Sequence, residues 1–287
     1  MTQQKKEIQP KQHQVRQPGQ EHKMTPLPQY EDPNYNGSRK LDQKTAVITG
    51  GDSGIGRSVS LYFAKEGANI AIIYLDEHQD AEYTKKLVEK EGRECLLISG
   101  NAGNAGFCEK AAAQVIEEFG KIDILVNNAA VQYPQEDFLN ISNEQMEQTF
   151  RTNFFSYFYI TKAVLPHLNK GSSIINTSSI TAYAGNEQLI DYTSTKGAIT
   201  SFTRALSKSL VSKGIRVNGV APGPIWTPLI ASSFDAEKVA EFGSDNPMGR
   251  AGQPKEVAPA FVYLASNDSS YVTGQMIHVN GGIIING

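Results

Sequence analysis

The stretch TAVITGGDSGIG (45–56) decides the fold of this chain. Its first half, TAVITG (45–50), is a short apolar run that ends in glycine, which is typical of a buried strand. The following run, GRSVSLYFAKEG (56–67), has apolar residues at helical spacing and ends at a glycine, which predicts a helix. The sequence therefore predicts a strand and a helix that are joined by one glycine-rich turn.

The glycines of this turn, Gly50, Gly54 and Gly56, follow a G-x-x-x-G-x-G spacing. In a doubly wound sheet, the turn after the first strand binds the pyrophosphate of a dinucleotide. Glycine lets the backbone approach the phosphates, and the N-terminus of the helix supplies N–H donors and a positive potential. The turn therefore predicts nucleotide binding, against the alternative of a glycine-rich turn without a ligand.

The rest of the chain alternates between apolar runs and helical patterns. Strands that are apolar throughout and alternate with helices form a parallel sheet that is covered on both faces. The predicted fold class is therefore α/β: a three-layer, doubly wound parallel sheet of the Rossmann type, in a single domain over residues 41–287. Further strands are predicted at 69–75, 95–100, 122–130, 172–179, 215–223 and 274–282, and further helices at 80–92, 107–120, 143–168, 192–213 and 255–266.

Residues 1–40 differ from that domain in composition. Residues 1–23 are rich in Gln, Lys and Pro and have almost nothing to bury, which predicts disorder. Residues 24–41 add Pro, Tyr and Leu, and could form an extended arm that lies on the protein itself or on a neighbouring subunit. A disordered tail and an extended N-terminal arm both stay open.

Bulk properties argue against several classes of protein. The 287 residues carry a formal net charge of −3, which gives no electrostatic footprint for nucleic acid or for an anionic membrane. No stretch is long and apolar enough to span a bilayer, and residues 1–20 lack the apolar region of a signal peptide. Cys95 and Cys108 lack metal-ligand spacing and do not indicate a disulfide framework. We therefore expect a cytoplasmic protein without a metal site.

The stretch DYTSTKGA (191–198) opens the helix predicted at 192–213. Its Tyr192 and Lys196 are four residues apart, so their side chains share one face of a helix. A lysine charge favours the phenolate form of a tyrosine, whose free pKa is about 10. The pair is either a proton-transfer device or a chance neighbourhood, and the stretch alone does not decide.

Further motifs lie at the ends of predicted elements. NNAA (127–130) ends the fourth strand, and APGPIWTP (221–228) follows a later one. Ser179 lies thirteen residues before Tyr192, and Asn153 lies within TFRTNFF. Together with the glycine turn and the Tyr-x-x-x-Lys pair, this set resembles the short-chain dehydrogenase/reductase family over residues 41–287. The arm and GGDSGIGRS also look like a bacterial subgroup that is associated with general stress.

The resemblance implies an NAD(P)-dependent oxidoreductase that interconverts a carbonyl and an alcohol by hydride transfer. It implies that Tyr192 is the general acid or base, and that Lys196 lowers the pKa of Tyr192 and binds the nicotinamide ribose. Ser179 would donate a hydrogen bond to the substrate oxygen, and Asn153 would hold a water that passes protons from Lys196 to solvent. The hydride itself belongs to the cofactor.

The resemblance also implies cofactor contacts, with two departures from the family pattern. Asn101 stands where the family usually has an aspartate that accepts from the adenine amino group, and its amide oxygen can still accept. Ala130 stands where the family usually has glycine, and its methyl group could narrow the pocket. The implied contacts, besides Tyr192 and Lys196, are Gly50, Asp52, Ser53, Gly54, Ile55, Gly56, Tyr74, Leu75, Asp76, Asn101, Ala102, Asn128, Ala129, Ala130, Thr177, Pro222, Gly223, Ile225 and Thr227.

The choice between NAD and NADP depends on the residues after the second strand. An acid there accepts from the ribose 2′-hydroxyl and repels a 2′-phosphate, whereas a basic residue does the reverse. Tyr74 and Leu75 fill the positions at which family members often carry the deciding Asp or Arg. Arg57 is close to the turn and could attract a phosphate. The acids that follow favour NAD over NADP: Asp76, Glu77 and Asp80.

The segment from Trp226 to about Arg250 is expected to cover a small carbonyl or alcohol substrate, although its apolar residues could equally be ordinary packing. Gln188 and Tyr183 could also line the pocket. The family is mostly tetrameric, and YVTGQMIHVNGG (271–282) is similar to its assembly strand, which implies a homotetramer. The apolar residues of the covering segment are Trp226, Leu229, Ile230, Phe234 and Phe242.

Two rival classes stay open beside the oxidoreductase. One is a nucleotide-sensing regulatory module on the same fold that turns nothing over, since fold does not determine function. Such modules typically lack the tyrosine or the lysine, and this chain keeps both. The other is a binding protein that acts through the arm. A dehydratase or epimerase of this fold normally has a longer substrate domain than this chain can hold.

Overall fold

A parallel sheet forms the centre of the molecule. In the computed structural model, which describes residues 6–285, its strands are β1 Thr45–Thr49, β2 Asn69–Tyr74, β3 Cys95–Ser99, β4 Ile124–Asn127, β5 Ser173–Thr177, β6 Arg216–Pro222 and β7 Met276–Val279. They lie in the order β3-β2-β1-β4-β5-β6-β7, and each adjacent pair is parallel. The order reverses between β1 and β4, and open α/β sheets bind ligands in the crevice beyond such a reversal. The predicted α/β class with a doubly wound parallel sheet is confirmed.

Helices cover both faces of this sheet. The α-helices of the described residues are α1 Gly54–Lys65, α2 His78–Lys90, α3 Ala105–Phe119, α4 Asn143–Phe150, α5 Ser156–Val164, α6 Thr181–Ala184, α7 Ile190–Leu210, α8 Pro228–Ala231, α9 Ala236–Glu241 and α10 Pro254–Ala265. On one face, Ile48 of β1 shares a core with Phe261 of α10. On the other face, Val47 shares a core with Val115 of α3. Because side chains alternate along a strand, both faces of β1 are buried.

Several predicted elements differ from the observed ones in extent. The strand predicted at 122–130 ends at Asn127, so the rest of NNAA lies in a loop. The helix predicted at 143–168 is interrupted by a π-helical turn, Arg151–Phe155, and ends in the 3-10 turn Leu165–His167. The short helices α6, α8 and α9 were not predicted, because so few residues show no helical period. Within residues 6–285, no helix combines the length and the apolar character that crossing a membrane requires.

Residues 6–40 follow a largely extended path across the domain, and we call them the N-terminal arm. The backbone N–H of Gln14 donates to the carbonyl of Ala231 (2.7 Å). The indole N–H of Trp226 donates to the carbonyl of Pro26 (3.0 Å). Of the arrangements left open by composition, the described part of the arm has the extended one, and it lies on its own domain. The first five residues of the predicted tail, and residues 286–287 of the predicted domain, lie outside the described residues.

A buried cluster of charges anchors the N-terminal arm. Arg57 of α1 forms ion pairs with Glu21 of the arm and with Asp80 of α2, and the three side chains are at most 3% exposed. The Asp80 carboxylate also accepts from the backbone N–H of Glu21 (2.8 Å). Burial raises the pKa of Glu21 to about 7, and Arg57 opposes that rise. The arm is therefore stabilised on the domain by contacts between its polar groups and buried polar residues.

We expect Arg57→Ala to lower the free energy of unfolding by about 3 kcal/mol or more, because it leaves two buried carboxylates without their counter-ion. Arg39→Ala is the matched control, since Arg39 is exposed and pairs with Asp42 at the surface. Its expected loss is below about 1 kcal/mol. Urea denaturation measures both values, and equal losses in the two variants would contradict the anchoring role.

Candidate active site

A cavity of about 550 Å³ opens at the carboxyl ends of the strands, within the usual range of small-molecule sites. Three predicted site residues do not line it: Gly56, Asp76 and Asn153. The others do, and they are Gly50, Asp52, Ser53, Gly54, Ile55, Tyr74, Leu75, Asn101, Ala102, Asn128, Ala129, Ala130, Thr177, Ser179, Tyr192, Lys196, Pro222, Gly223, Ile225 and Thr227.

The glycine turn forms one wall of this cavity. A Cβ on Gly56 would lie 1.9 Å from the carbonyl oxygen of Gly50, and Gly50 has a φ of +64°. Neither position therefore accepts a side chain without strain. The side-chain amide of Asn128 donates to the Gly50 carbonyl (3.1 Å), and the backbone N–H of Asn128 donates to the Thr49 hydroxyl (2.9 Å). These bonds fix the turn to the loop after β4.

The first turn of α1 fits a pyrophosphate. Its N–H groups have no partner within the helix, and the helix dipole makes this end positive. Ser53, Gly54 and Ile55 line the cavity at this point. The N–H of Gly54 donates to the Glu21 carboxylate of the arm (2.5 Å), which leaves the neighbouring donors for a ligand. The donor set and the space cleared by the glycines match a dinucleotide.

Helix α7 brings Tyr192 and Lys196 to the same face, as their spacing predicts. The centre of the Tyr192 ring lies 5.4 Å from Lys196 Nζ, and Nζ donates to the carbonyl of Thr177 (2.8 Å). Ser179 follows β5, and its hydroxyl accepts from the N–H of Thr181 (3.1 Å) and lowers the pKa of Tyr192. All three side chains are buried. The cavity is therefore lined by two hydroxyl groups and a lysine.

Burial determines the pKa values of this pair. It raises the pKa of Tyr192 to about 12, although the hydrogen bond with Ser179 opposes the rise. It lowers the pKa of Lys196 to about 7, because the buried ammonium loses its hydration. The expectation was that Lys196 lowers the pKa of Tyr192 below its ordinary value. Burial instead raises the pKa of Tyr192 above that value, because a buried phenolate loses its hydration.

Asn153 lies beside the cavity in the π-helical turn and is fully buried. Its amide oxygen accepts from the N–H of Val131 (2.8 Å), and its amide nitrogen donates to the Val131 carbonyl (2.9 Å) and to the Thr195 hydroxyl (3.2 Å). The side chain thus ties the loop after β4 to α7. This arrangement gives the amide a structural partner on each side, which the motif alone did not indicate.

The charged residues expected to select the cofactor are distributed differently from the prediction. Asp76 does not line the cavity, whereas Glu77 does, and both pair with Arg16 of the N-terminal arm. Asp80 belongs to α2 and is buried against Arg57. Arg57 is therefore neutralised within the buried cluster and is not available to attract a phosphate.

The two departures from the family pattern both lie in the cavity wall. Asn101 lines it, and its amide oxygen accepts from the N–H of Gly103 (2.8 Å). Ala130 also lines it. Behind the wall, Asn127 donates to the side chains of Asn176 (2.8 Å) and Thr161 (3.1 Å). Asn127 thus braces the sheet and does not line the cavity.

Sequence reasoning missed the contribution of the N-terminal arm. Gln17, Pro18 and Gly19 line the cavity, and no local signal predicts this, because only docking on the domain brings them there. Trp226, expected over the substrate, is instead fully buried in a small core with Met24. Tyr183 does not line the cavity. The other residues expected around the substrate do line it: Gln188, Leu229, Ile230, Phe234 and Phe242.

Comparison with known proteins adds independent findings. The family model described as enoyl-(acyl carrier protein) reductase matches residues 50–284. General stress protein 39 of Bacillus subtilis is 59% identical over 95% of this chain and 96% of its own length. Glucose and ribitol dehydrogenase of Daucus carota is 53% identical over 97% of this chain and 98% of its own length. The crystal structure of a short-chain dehydrogenase from Burkholderia cenocepacia in complex with NADP is 26% identical, with a TM-score of 0.80 over 85% of this chain and 98% of that one.

This chain belongs to the short-chain dehydrogenase/reductase family. It is an NAD(P)-dependent dehydrogenase/reductase. The resemblance stated from the motifs is confirmed, and a general stress protein is among the relatives. The matched region contains the glycine turn, the Tyr-x-x-x-Lys pair and β7.

The pKa of Lys196 falls from 10.5 to about 7 when the chain folds. Between these values the unfolded chain binds more protons, so the free energy of unfolding rises with pH from 7 towards 10. We expect Lys196→Met to be more stable than the wild type at pH 7, by on the order of 2 kcal/mol. The difference should shrink as the pH approaches 10.

Urea denaturation at pH 7, 8, 9 and 10 measures this effect. Lys208→Met is the matched control, because Lys208 is an exposed lysine of the same helix. A Lys196→Met variant that is less stable than the wild type at pH 7 would show that the buried ammonium costs the fold nothing.

Proposed function

We propose that this protein interconverts an aldehyde or ketone with an alcohol by hydride transfer. The observation that carries the proposal is the meeting of Ser179, Tyr192 and Lys196 in the cavity that the glycine turn also lines. Two hydroxyl groups beside a lysine can hold a carbonyl oxygen and deliver a proton to it. The nicotinamide cofactor supplies or accepts the hydride when bound.

In this proposal, Tyr192 donates the proton when a carbonyl is reduced and accepts it when an alcohol is oxidised. A pKa of about 12 keeps its phenol protonated at neutral pH, as a proton donor requires. Oxidation needs the phenolate, and the charge of a protonated Lys196 favours that form. The bond from Lys196 to the Thr177 carbonyl holds the ammonium on the tyrosine side of the cavity.

Ser179 and Asn153 have supporting roles. Ser179 donates a hydrogen bond to the substrate oxygen and stabilises the charge that develops there. The Asn153 amide is already bonded to Val131 and Thr195, so we assign the proton relay expected of it to the backbone of its π-helical turn. Such turns occur frequently at functional sites.

We retain the prediction that NAD is preferred over NADP. The supporting feature is the pair of carboxylates after β2, Asp76 and Glu77, of which Glu77 lines the cavity. The oxygens of Glu77 can accept from a ribose hydroxyl, and the ionised Asp76 beside it disfavours a 2′-phosphate. Titration of the protein with each reduced cofactor tests the preference, and tighter binding of NADPH would contradict it.

The lining of the cavity supports a small hydroxylated substrate. Polar side chains also line the cavity, including Gln132, Asn186, Gln188 and Lys238. Phe234 adds an apolar surface to the same cavity. The related carrot protein is named a glucose and ribitol dehydrogenase. We therefore propose aldehydes, sugars and polyols as the first compounds to test.

A homotetramer is part of the proposal. Phe158 of α5 is 46% exposed, and its ring centre lies 6.1 Å from that of Phe202 on α7. An exposed aromatic ring beside a partly exposed one on another helix forms the kind of apolar patch that symmetric oligomers bury. Light scattering gives the mass in solution, and the mass of a monomer would rule the assembly out.

Replacing Tyr192 by Phe removes the proposed proton donor and keeps the ring. We expect kcat for carbonyl reduction to fall about 10³-fold, because the reduction consumes the proton that Tyr192 donates. The dissociation constant of NADH should change less than about twofold, because cofactor binding does not use that proton. Oxidation of NADH and NADPH against a panel of aldehydes, ketones, quinones and sugars measures turnover. Fluorescence titration measures binding.

Tyr183→Phe is the matched control for this experiment. The Tyr183 hydroxyl has no hydrogen-bond partner among the described residues, and it does not line the cavity. Its removal should leave turnover unchanged. Full activity of Tyr192→Phe would contradict the proposed mechanism. Tight cofactor binding by the wild type, without turnover of any compound, would favour a regulatory module.

A further inference from the structure

The N-terminal arm crosses the mouth of the cofactor cleft. Arg16 pairs with Asp76 and Glu77 after β2, with 2.9 Å between Arg16 Nη2 and Glu77 Oε1. The next residue, Gln17, bonds to the backbone of Gln132 after β4: its amide nitrogen donates to the carbonyl (2.5 Å), and its amide oxygen accepts from the N–H (3.0 Å). Because β1 lies between β2 and β4, the arm bridges the two sides of the glycine turn.

The arm is a wall of this cleft and does not fill it. Gly19 is packed so closely on α8 that a Cβ would lie 2.4 Å from the Pro228 carbonyl oxygen. Glu21 then reaches the first turn of α1 through its bond to Gly54. With the arm in this position the cavity still measures about 550 Å³, so a ligand and the docked arm fit together.

The charges after β2, where the choice between NAD and NADP is expected to be made, nearly cancel because of Arg16. Hydrogen bonds from Glu77 and then from Arg16 lower the pKa of Asp76, which is therefore ionised at neutral pH. Burial raises the pKa of Glu77 to about 8, which reduces its negative charge at pH 7. The principal charges left here are the Asp76 carboxylate and the Arg16 guanidinium. Arginine binds phosphate as readily as carboxylate, through the same fork of N–H donors.

We propose that the N-terminal arm is part of the cofactor site and that Arg16 is a selectivity residue for the 2′-phosphate. With Arg16 present, the acids after β2 are offset, and NADPH is accepted with a small penalty relative to NADH. Without it, Asp76 repels the 2′-phosphate. The inference rests on the proposed dinucleotide site and adds to it a residue 60 positions away from Asp76 in the chain.

Direct binding of NADH and NADPH, without substrate, tests the proposal. We expect Arg16→Gln to raise the dissociation constant of NADPH about tenfold or more and that of NADH less than about threefold. Adding Asp76→Asn to that variant removes the repelling charge and should restore most of the NADPH affinity. Titration of nicotinamide fluorescence measures all four constants for each protein.

Two variants separate the charge of Arg16 from the docking of the arm. Arg39→Gln changes another arginine of the arm, which pairs with Asp42 and not with the acids of the cleft. Both dissociation constants should stay unchanged in this variant. Gln17→Ala removes the bridge to Gln132 without altering charge, and should weaken the two cofactors by the same factor. Thermal melting of each variant confirms that the domain remains folded.

Each result decides a different point. Selective loss of NADPH binding in Arg16→Gln, with recovery in the double variant, supports the proposal. Equal weakening of both cofactors, or no change, overturns the role of Arg16 while the proposed function stands. Failure of the wild type to bind either cofactor overturns the dinucleotide site itself, and the role of Arg16 with it.

Discussion

The approach of Gly56 to the Gly50 carbonyl is the constraint on which the rest of the site depends. A side chain at Gly56 could not fit into the 1.9 Å that separates its Cβ position from that oxygen. Because the turn is this tight, only residues 50–53 separate β1 from α1. The positive N-terminus of α1 opens into the crevice where the strand order reverses. The same carbonyl accepts from Asn128, so the turn also sets the position of the loop after β4.

From that loop, hydrogen bonds lead to α7, the helix that carries Tyr192 and Lys196. Val131 exchanges two backbone bonds with the Asn153 amide, and that amide donates onward to Thr195 of α7. Thr195 lies directly beside Lys196, and its hydroxyl donates to the carbonyl of Tyr192 (2.6 Å). The glycine turn and the Tyr192 side of the cavity are therefore joined by one network of hydrogen bonds. A buried network of this kind fixes geometry because each unpaired member would be costly.

The order of the motifs could be predicted because parallel strands place all their carboxyl ends at one edge of a sheet. Once 45–49 and its neighbours are recognised as buried strands, the glycine turn, NNAA and Ser179 must meet at that edge. The π-helical turn at Arg151–Phe155 could not be predicted, since its side-chain pattern is that of an ordinary helix. The environment of Trp226 could not be predicted either. The same local sequence allows an apolar residue of the covering segment to pack below the cavity or to line it.

The N-terminal arm shows why composition alone misjudges such segments. Composition measures what a segment can bury by itself, and residues 6–23 can bury little. Composition does not include the polar residues of the folded domain that the segment contacts. Arg57 of α1 is buried and requires counter-ions. Asp80, one of the two, belongs to the same domain, and Glu21, the other, comes from the arm. An unpaired buried charge costs free energy, so Arg57 favours the docking of Glu21 from the arm. That docking also places Arg16 and Gln17 over the cleft.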